Sequence, residues 1–151
     1  MIDASVLERL SHQAAEDDIQ QLVVGAVVEA SDTVLLLKRR AGDFMGGIYE
    51  LPSGKVERDE TLEAATAREL AEETGLTLVE IVDYIGSFDY VSGSGRRSRQ
   101  FTFLVAVVDT THVTLTEHDD YRWMSLAGEL PVTDEVRSIL ATWRKPREVN
   151  A

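Results

Sequence analysis

Residues 54–76 read GKVERDETLEAATARELAEETGL. Within this stretch Gly54, Glu60, Arg68, Glu69, Glu72, Glu73 and Gly75 stand at fixed spacing, with apolar residues at Leu70 and Leu76. On a helix turning about 100° per residue, Glu69, Glu72 and Glu73 fall on one face, within roughly 100° of one another. Ala64, Ala67, Leu70, Ala71 and Thr74 are expected on the opposite side, as the face turned to the core. Three like charges crowded on one turn destabilise a helix unless something positive joins them. Carboxylate oxygens at close quarters suit a hard divalent cation such as Mg²⁺ or Mn²⁺. A glutamate-rich helix face is ordinarily just solvated surface, but that reading does not account for the other fixed positions. At residue frequencies of about 5–10%, seven such positions coincide by chance on the order of once per million chains.

Working outward, Asp59 or Thr61 is placed to cap the helix, and Gly75 sits where a left-handed C-terminal residue is wanted. Upstream, Leu22 to Ala30 and Thr33 to Arg40 are β-rich apolar runs, and Ala30-Ser31-Asp32 between them reads as a hairpin turn. Gly42 to Gly47 reads as a loop before a short strand around Ile48 to Leu51. Val6, Leu7, Leu10 and Ala14 recur at helical spacing within residues 4–20. Downstream, Ile81 to Val91 and Gln100 to Asp109 read as strands around the loop SGSGRRS, followed by a short strand near Tyr121 to Met124. A closing helix is expected over about Thr133 to Trp143. This order favours a sheet with helices on both sides.

Composition bounds the chemistry. A chain of 151 residues with 44% hydrophobic content has room for one domain with a real core. The absence of cysteine excludes disulfides and thiolate metal sites, so any metal must sit on oxygen or imidazole ligands. No apolar run approaches the roughly 20 residues of a membrane span. The N-terminus lacks the basic start and apolar core of a secretory signal, so a cytoplasmic protein without membrane association is expected. A net charge of −12 argues against a nucleic-acid polymer as partner. It leaves room for a small phosphorylated ligand, because a bound cation and a few arginines reverse the sign locally. His12, His112 and His118 are not at metal-ligand spacing and read as surface residues.

The spacing of Gly54, Glu60, Arg68, Glu69, Leu70, Glu72, Glu73, Gly75 and Leu76 resembles the box of the Nudix hydrolase superfamily at every element. That resemblance implies an α/β/α sandwich on a mixed sheet, with residues 22–147 as the Nudix domain and residues 1–21 as an N-terminal helical extension. It also implies hydrolysis of a diphosphate bond in a nucleoside diphosphate linked to another moiety, with Mg²⁺ or Mn²⁺ as cofactor. Glu69, Glu72 and Glu73 inherit the metal-holding role. One of them, or another nearby glutamate, acts as general base, and sequence does not choose among them. Arg68 and Glu60 inherit the role of orienting the helix against its loop.

Outside the box, LLLKRRAGDFMGGIYELPSGK (residues 35–55) and TEHDDYRWMSL (residues 116–126) are similar to MutT-like nucleoside triphosphate pyrophosphohydrolases. This places Arg40 against the substrate phosphates, with Lys55 and Arg39 as weaker candidates. It makes Glu117 the extra metal ligand, with Asp119 and Asp120 as alternatives. Ser53 stands where the family more often has glycine. Its carbonyl is expected at the metal site, at a cost if the backbone there needs positive φ. Asp134 is matched to a base-facing polar residue, although an N-cap explains it equally well. Arg99 is matched to a base- or phosphate-facing position. The resemblance favours a nucleoside triphosphate substrate. It leaves open ADP-ribose or a nucleotide-sugar, and a non-catalytic Nudix-fold binding module. Homodimers are common among such relatives, and the N-terminal helix is available to form one.

Overall fold

Ser31 and Asp32 carry φ of 49° and 65°, the paired left-handed residues of a tight hairpin turn whose twist matches that of the strands it joins. They connect β1 (Gln21–Ala30) to β2 (Thr33–Arg39) in a computed structural model that describes residues 1–42 and 46–149, with side chains through residue 143. The loop expected over Gly42 to Gly47 falls partly outside the described residues. The remaining elements are α1 (Ala4–Glu16), β3 (Tyr49–Glu50), β4 (Ser53–Lys55), α2 (Leu62–Thr74), β5 (Leu78–Val91), β6 (Arg97–Val107), β7 (His118–Ser125) and α3 (Asp134–Val149). Among the described residues, no helix is long and apolar enough to cross a membrane.

The hairpin stays paired only at its tip, Glu29 to Val34 and Ala30 to Thr33. Beyond it the two strands part. β1 takes β6 as a parallel neighbour over Gln21 to Val28, and β4 as an antiparallel neighbour through Val23, Val24 and Gly25. β2 pairs with β3 and β7 instead. The result is a mixed seven-stranded sheet. β1 is buried without a break from Val23 to Val28, as a central strand covered on both faces must be.

Alternation along the strands divides the core in two. Val24, Ala26, Val28, Phe101, Phe103 and Val105 pack with Leu7 and Ala14 of α1 and with Leu62, Ala65 and Leu70 of α2. Val27, Val34 and Leu36 pack on the other face with Val136 and Leu140 of α3. Helices therefore cover both sides of the sheet, as the order of elements predicts. Half-buried Trp123 packs against the first of these clusters.

α1 spans all four residues of the apolar spacing, Val6, Leu7, Leu10 and Ala14. Asp3 caps its start by accepting from the Ser5 N–H, and the chain leaves the helix at Asp17 and Asp18, the latter at φ 59°. In α2, Thr61 rather than Asp59 is the N-cap, its hydroxyl accepting from the Ala64 N–H at 3.0 Å. Gly75 closes the helix at φ 75°, with its N–H bonded to the Ala71 carbonyl.

The buried face of α2 differs from the expected one. Ala64 and Ala71 are exposed, and the buried set is Leu62, Ala65, Thr66, Leu70, Glu73 and Thr74. Two threonines are affordable on this face because their hydroxyls bond the Leu62 and Leu70 carbonyls four residues back. The rotation turns Glu73 inward, toward β4, instead of leaving all three glutamates outside.

Candidate functional site at the junction of the second helix and the fourth strand

Arg68 organises the junction. Its Nε and Nη2 donate to the two oxygens of Glu60, each at 2.8 Å, a bidentate grip on the loop that precedes α2. Nη2 also donates to the Lys55 carbonyl at 2.9 Å, which ties the helix to β4. Nη1 reaches Glu69 at 2.6 Å and Glu72 at 3.5 Å. The Arg68 hydrogen bonds hold Glu60 down at about 2, and Glu60 in turn raises the Arg68 pKa. One guanidinium thus serves as the positive partner that the acidic turn requires.

Glu73 is only 7% exposed. Its carboxylate accepts from the Ser53 N–H at 2.8 Å. Burial pushes Glu73 up to about 8, the charges of Glu50 and Glu69 act in the same direction, and the Ser53 bond and His118 oppose them. Burial also raises Glu69 against the pull of Arg68, with Glu72 and Glu117 adding to the rise. The Glu69 carboxyl lies against the α-carbon of Gly54, in space that a Cβ there would occupy. A side chain at position 54 would displace the Glu69 carboxyl from this place. Ser53 carries no positive φ and lies extended in β4, so the serine costs no backbone strain.

Glu72 and Glu117 are exposed at the rim. Among the described residues, no three acidic or histidine side chains converge into a ready-made metal cage. The donors are nonetheless all oxygen, and buried carboxylates with raised pKa values are short of positive charge. Both facts fit a hard divalent cation.

His118 is not on the surface. Its side chain is 4% exposed, and Nε2 lies 2.7 Å from Glu50 Oε2. The other Glu50 oxygen accepts from Arg39 Nε at 2.7 Å. Burial disfavours the charged form of His118, but the Glu50 bond and the surrounding carboxylates outweigh it and raise its pKa. Burial likewise acts against the Glu50 carboxylate, and the bonds from His118 and Arg39 prevail and lower it. This Arg39–Glu50–His118 chain was missed in the sequence, although Glu50 and His118 both lie inside the two segments read there. Their partnership spans 68 positions and no local spacing encodes it.

Arg40 is exposed and donates to the Thr116 carbonyl at 2.6 Å. Thr116 in turn donates through its hydroxyl to the Glu72 carbonyl at 2.8 Å, and Asp119 accepts from the Ala41 N–H. These bonds bring Arg40 and the segment carrying Glu117 to the C-terminal end of α2.

A cleft of about 600 Å³ opens beside Ser53, Gly54 and Lys55. Its floor includes Val23 and Gln100, one wall carries Phe88 and Tyr90, and Thr133, Glu135 and Val136 close it from α3. None of the three expected substrate residues, Arg40, Arg99 and Asp134, lines it, whereas Arg39 does. Arg99 shares the strand face of Phe101 and Phe103, opposite to Gln100. There it donates to Asp89 at 2.6 and 3.0 Å and to Asp17 at 2.9 Å. Asp134 points outward, with its side chain 94% exposed and paired with Arg137. Its neighbours Thr133 and Glu135 line the cleft in its place, and Thr133 caps α3 through a 3.4 Å bond from the Val136 N–H.

Comparison with known proteins identifies the family and the fold. The 8-oxo-dGTP diphosphatase of Escherichia coli is 39% identical over 57 residues, covering 38% of this chain and 44% of that protein. The ADP-ribose pyrophosphatase of Methanocaldococcus jannaschii is 44% identical over 55 residues, covering 36% and 32%. These matches thus span about half the length of the curated relatives or less. Among solved structures, the MutT protein of Methanosarcina mazei superposes with a TM-score of 0.74 at 28% identity, covering 85% of this chain and 95% of that one. The Escherichia coli ORF135 protein gives a TM-score of 0.73 at 27% identity, covering 88% and 95%. The sequence matches the NUDIX domain family over residues 19–144, and the chain belongs to that family.

Proposed function

We propose that this chain is a divalent-metal-dependent pyrophosphohydrolase of a nucleoside diphosphate linked to another group, with a nucleoside triphosphate as the preferred substrate. The observation that carries this reading is the pair of desolvated carboxylates, Glu69 and Glu73, beside a cleft whose wall is aromatic. The phosphates belong at the Ser53–Lys55 end and the nucleoside at the Phe88–Tyr90 end. The MutT-like relatives and structural neighbours support the triphosphate, and the ADP-ribose pyrophosphatase relative keeps a dinucleotide as the competing substrate.

Glu69, Glu72, Glu73 and Glu117, with the Ser53 carbonyl, would hold Mg²⁺ or Mn²⁺. Such an ion lowers the pKa of water and neutralises charge growing on the phosphoryl oxygens. The chain's own residues do the rest. Arg68 fixes the helix through Glu60 and stands as the positive neighbour of Glu69 and Glu72. Ser53 holds Glu73 in place. One of the glutamates accepts the proton of the attacking water. Arg40, at the rim beside Glu117, meets the phosphates.

The test is a panel of nucleoside triphosphates, ADP-ribose and nucleotide-sugars with Mg²⁺, assayed for phosphate, pyrophosphate and monophosphate. Release of pyrophosphate and a nucleoside monophosphate from triphosphates is expected. Robust hydrolysis of ADP-ribose with inert triphosphates would overturn the substrate assignment, and no hydrolysis of any member would overturn the activity.

A further inference from the structure

The cleft floor holds a polar side chain that the protein leaves without a partner. Gln100 is 8% exposed and lines the cleft, yet its carboxamide hydrogen-bonds no described residue. Two positions along the same face of β6, Thr102 is fully buried and its hydroxyl also has no partner among the described residues. Gln21 at the same floor is different, since its oxygen accepts from the Ser98 hydroxyl at 3.2 Å. The Thr102 hydroxyl is enclosed, whereas the Gln100 amide is not and opens to the cleft. A carboxamide that no other side chain holds and that is open to a cleft is available to a ligand.

The backbone makes room for this group. The Gln100 amide leans across Gly25, where a Cβ would come within 2.6 Å of Nε2 and 3.3 Å of Cδ. Gly25 has ordinary extended backbone, so glycine there serves the close approach and not a special φ. Across β5, Gln100 stands opposite Phe88, and the rings of Phe88 and Tyr90 lie 5.9 Å apart. Glu135 faces this end of the cleft with an acceptor-only carboxylate, which repels phosphate and favours a group bearing N–H donors.

We propose that Gln100 is a specificity-determining residue that hydrogen-bonds the edge of a nucleobase held against Phe88 and Tyr90. A carboxamide offers one donor and one acceptor side by side, so it matches a base edge that presents the complementary pair. Gly25 is the positioning residue that lets the amide lie flat on the floor. This inference rests on the nucleotide reading above.

Two variants test it. Gln100→Met keeps the length and removes both hydrogen-bonding groups, and Gly25→Ala places a methyl where the amide lies. Binding of AMP, CMP, GMP and UMP is measured without metal by titration calorimetry, and kcat/KM for the four triphosphates with Mg²⁺. The wild-type protein is expected to prefer one base by at least about tenfold, the scale on which sites built to hydrogen-bond a substrate discriminate. Both variants should lose that preference to within about threefold. The thermal midpoint of Gln100→Met should stay near the wild-type value, because the amide faces the cleft and ties no element to another; a purely structural role would lower it. Unchanged base preference in both variants overturns the proposal, as does a wild-type protein blind to the base. Base-selective monophosphate binding that the variants abolish, with no hydrolysis of any nucleotide, leaves Gln100 in its role and overturns only the activity. If nothing binds and nothing is hydrolysed, both readings fall.

Discussion

Three side chains at the acidic junction illustrate how one residue type takes different roles. Glu60 is gripped by Arg68 and held at about 2, Glu72 lies open at the rim, and Glu73 is buried and pushed up to about 8. Replacing Glu73 with Gln removes a charge that the fold does not favour and keeps an oxygen to accept the Ser53 N–H. We expect Glu73→Gln to lower kcat by about 100-fold or more with saturating Mg²⁺, while the metal-free thermal midpoint holds or rises. Near-normal turnover in that variant would remove Glu73 from the machinery. Glu60 gives a separate pH signature. Its folded pKa of about 2 lies below the ordinary carboxylate value of 4.5, so its contribution to stability is present above pH 4.5 and fades as the pH falls toward 2. Glu60→Gln should therefore melt several degrees below the wild type at neutral pH, and the two melting curves should converge in strong acid. A gap that persists there would mean that the Arg68 ion pair is not its source.

At the scale of elements, a residue expected to bind substrate adds a polar clamp to the apolar packing of α1 on the sheet. Arg99 bridges Asp17 at the end of α1 and Asp89 on β5. The Arg99 hydrogen bonds lower the pKa values of both aspartates, so this clamp too weakens as acid protonates them. Arg99→Met is expected to speed amide exchange across Ala4–Glu16, with KM for the nucleotide changed by less than about threefold. A large rise in KM with α1 still protected would restore the substrate role. Caps and turns were legible in the sequence because they depend on residues within four positions of one another. Thr61, Gly75 and the Ser31–Asp32 turn are of this kind. The buried face of α2 was misread because alanine is indifferent to burial. The helix is turned by Arg68 and by the Ser53 bond to Glu73, and both reach outside it.

For the whole molecule, the acidic junction couples folding to cation binding. Glu73 has a folded pKa above its unfolded value, so its contribution is fully present below about pH 4.5 and is lost as the pH rises through about 8. A cation replaces the proton as the partner of the carboxylates and competes with it. The increase in thermal midpoint produced by Mg²⁺ or Mn²⁺ should therefore be larger at pH 8 than at pH 5 and should grow with ion concentration. No midpoint change with either ion at pH 8 would contradict an oxygen-ligand metal site.

By itself the sequence determined the acidic turn, its helix, the hairpin and the alternation of strands, because each depends on short spacings along the chain. Only the tertiary structure decided what faces what. Arg99 and Gln100 are adjacent, and the parallel pairing of β6 with β1 sends one to the helix-covered face and the other to the cleft floor. The pairing of β3 and β7 with β2 brings His118 to Glu50, and the packing of α3 lets Thr133 and Glu135 line the cleft while Asp134 faces solvent. A strand's period of two makes the face of each residue depend on register, and register is set by neighbours distant in sequence.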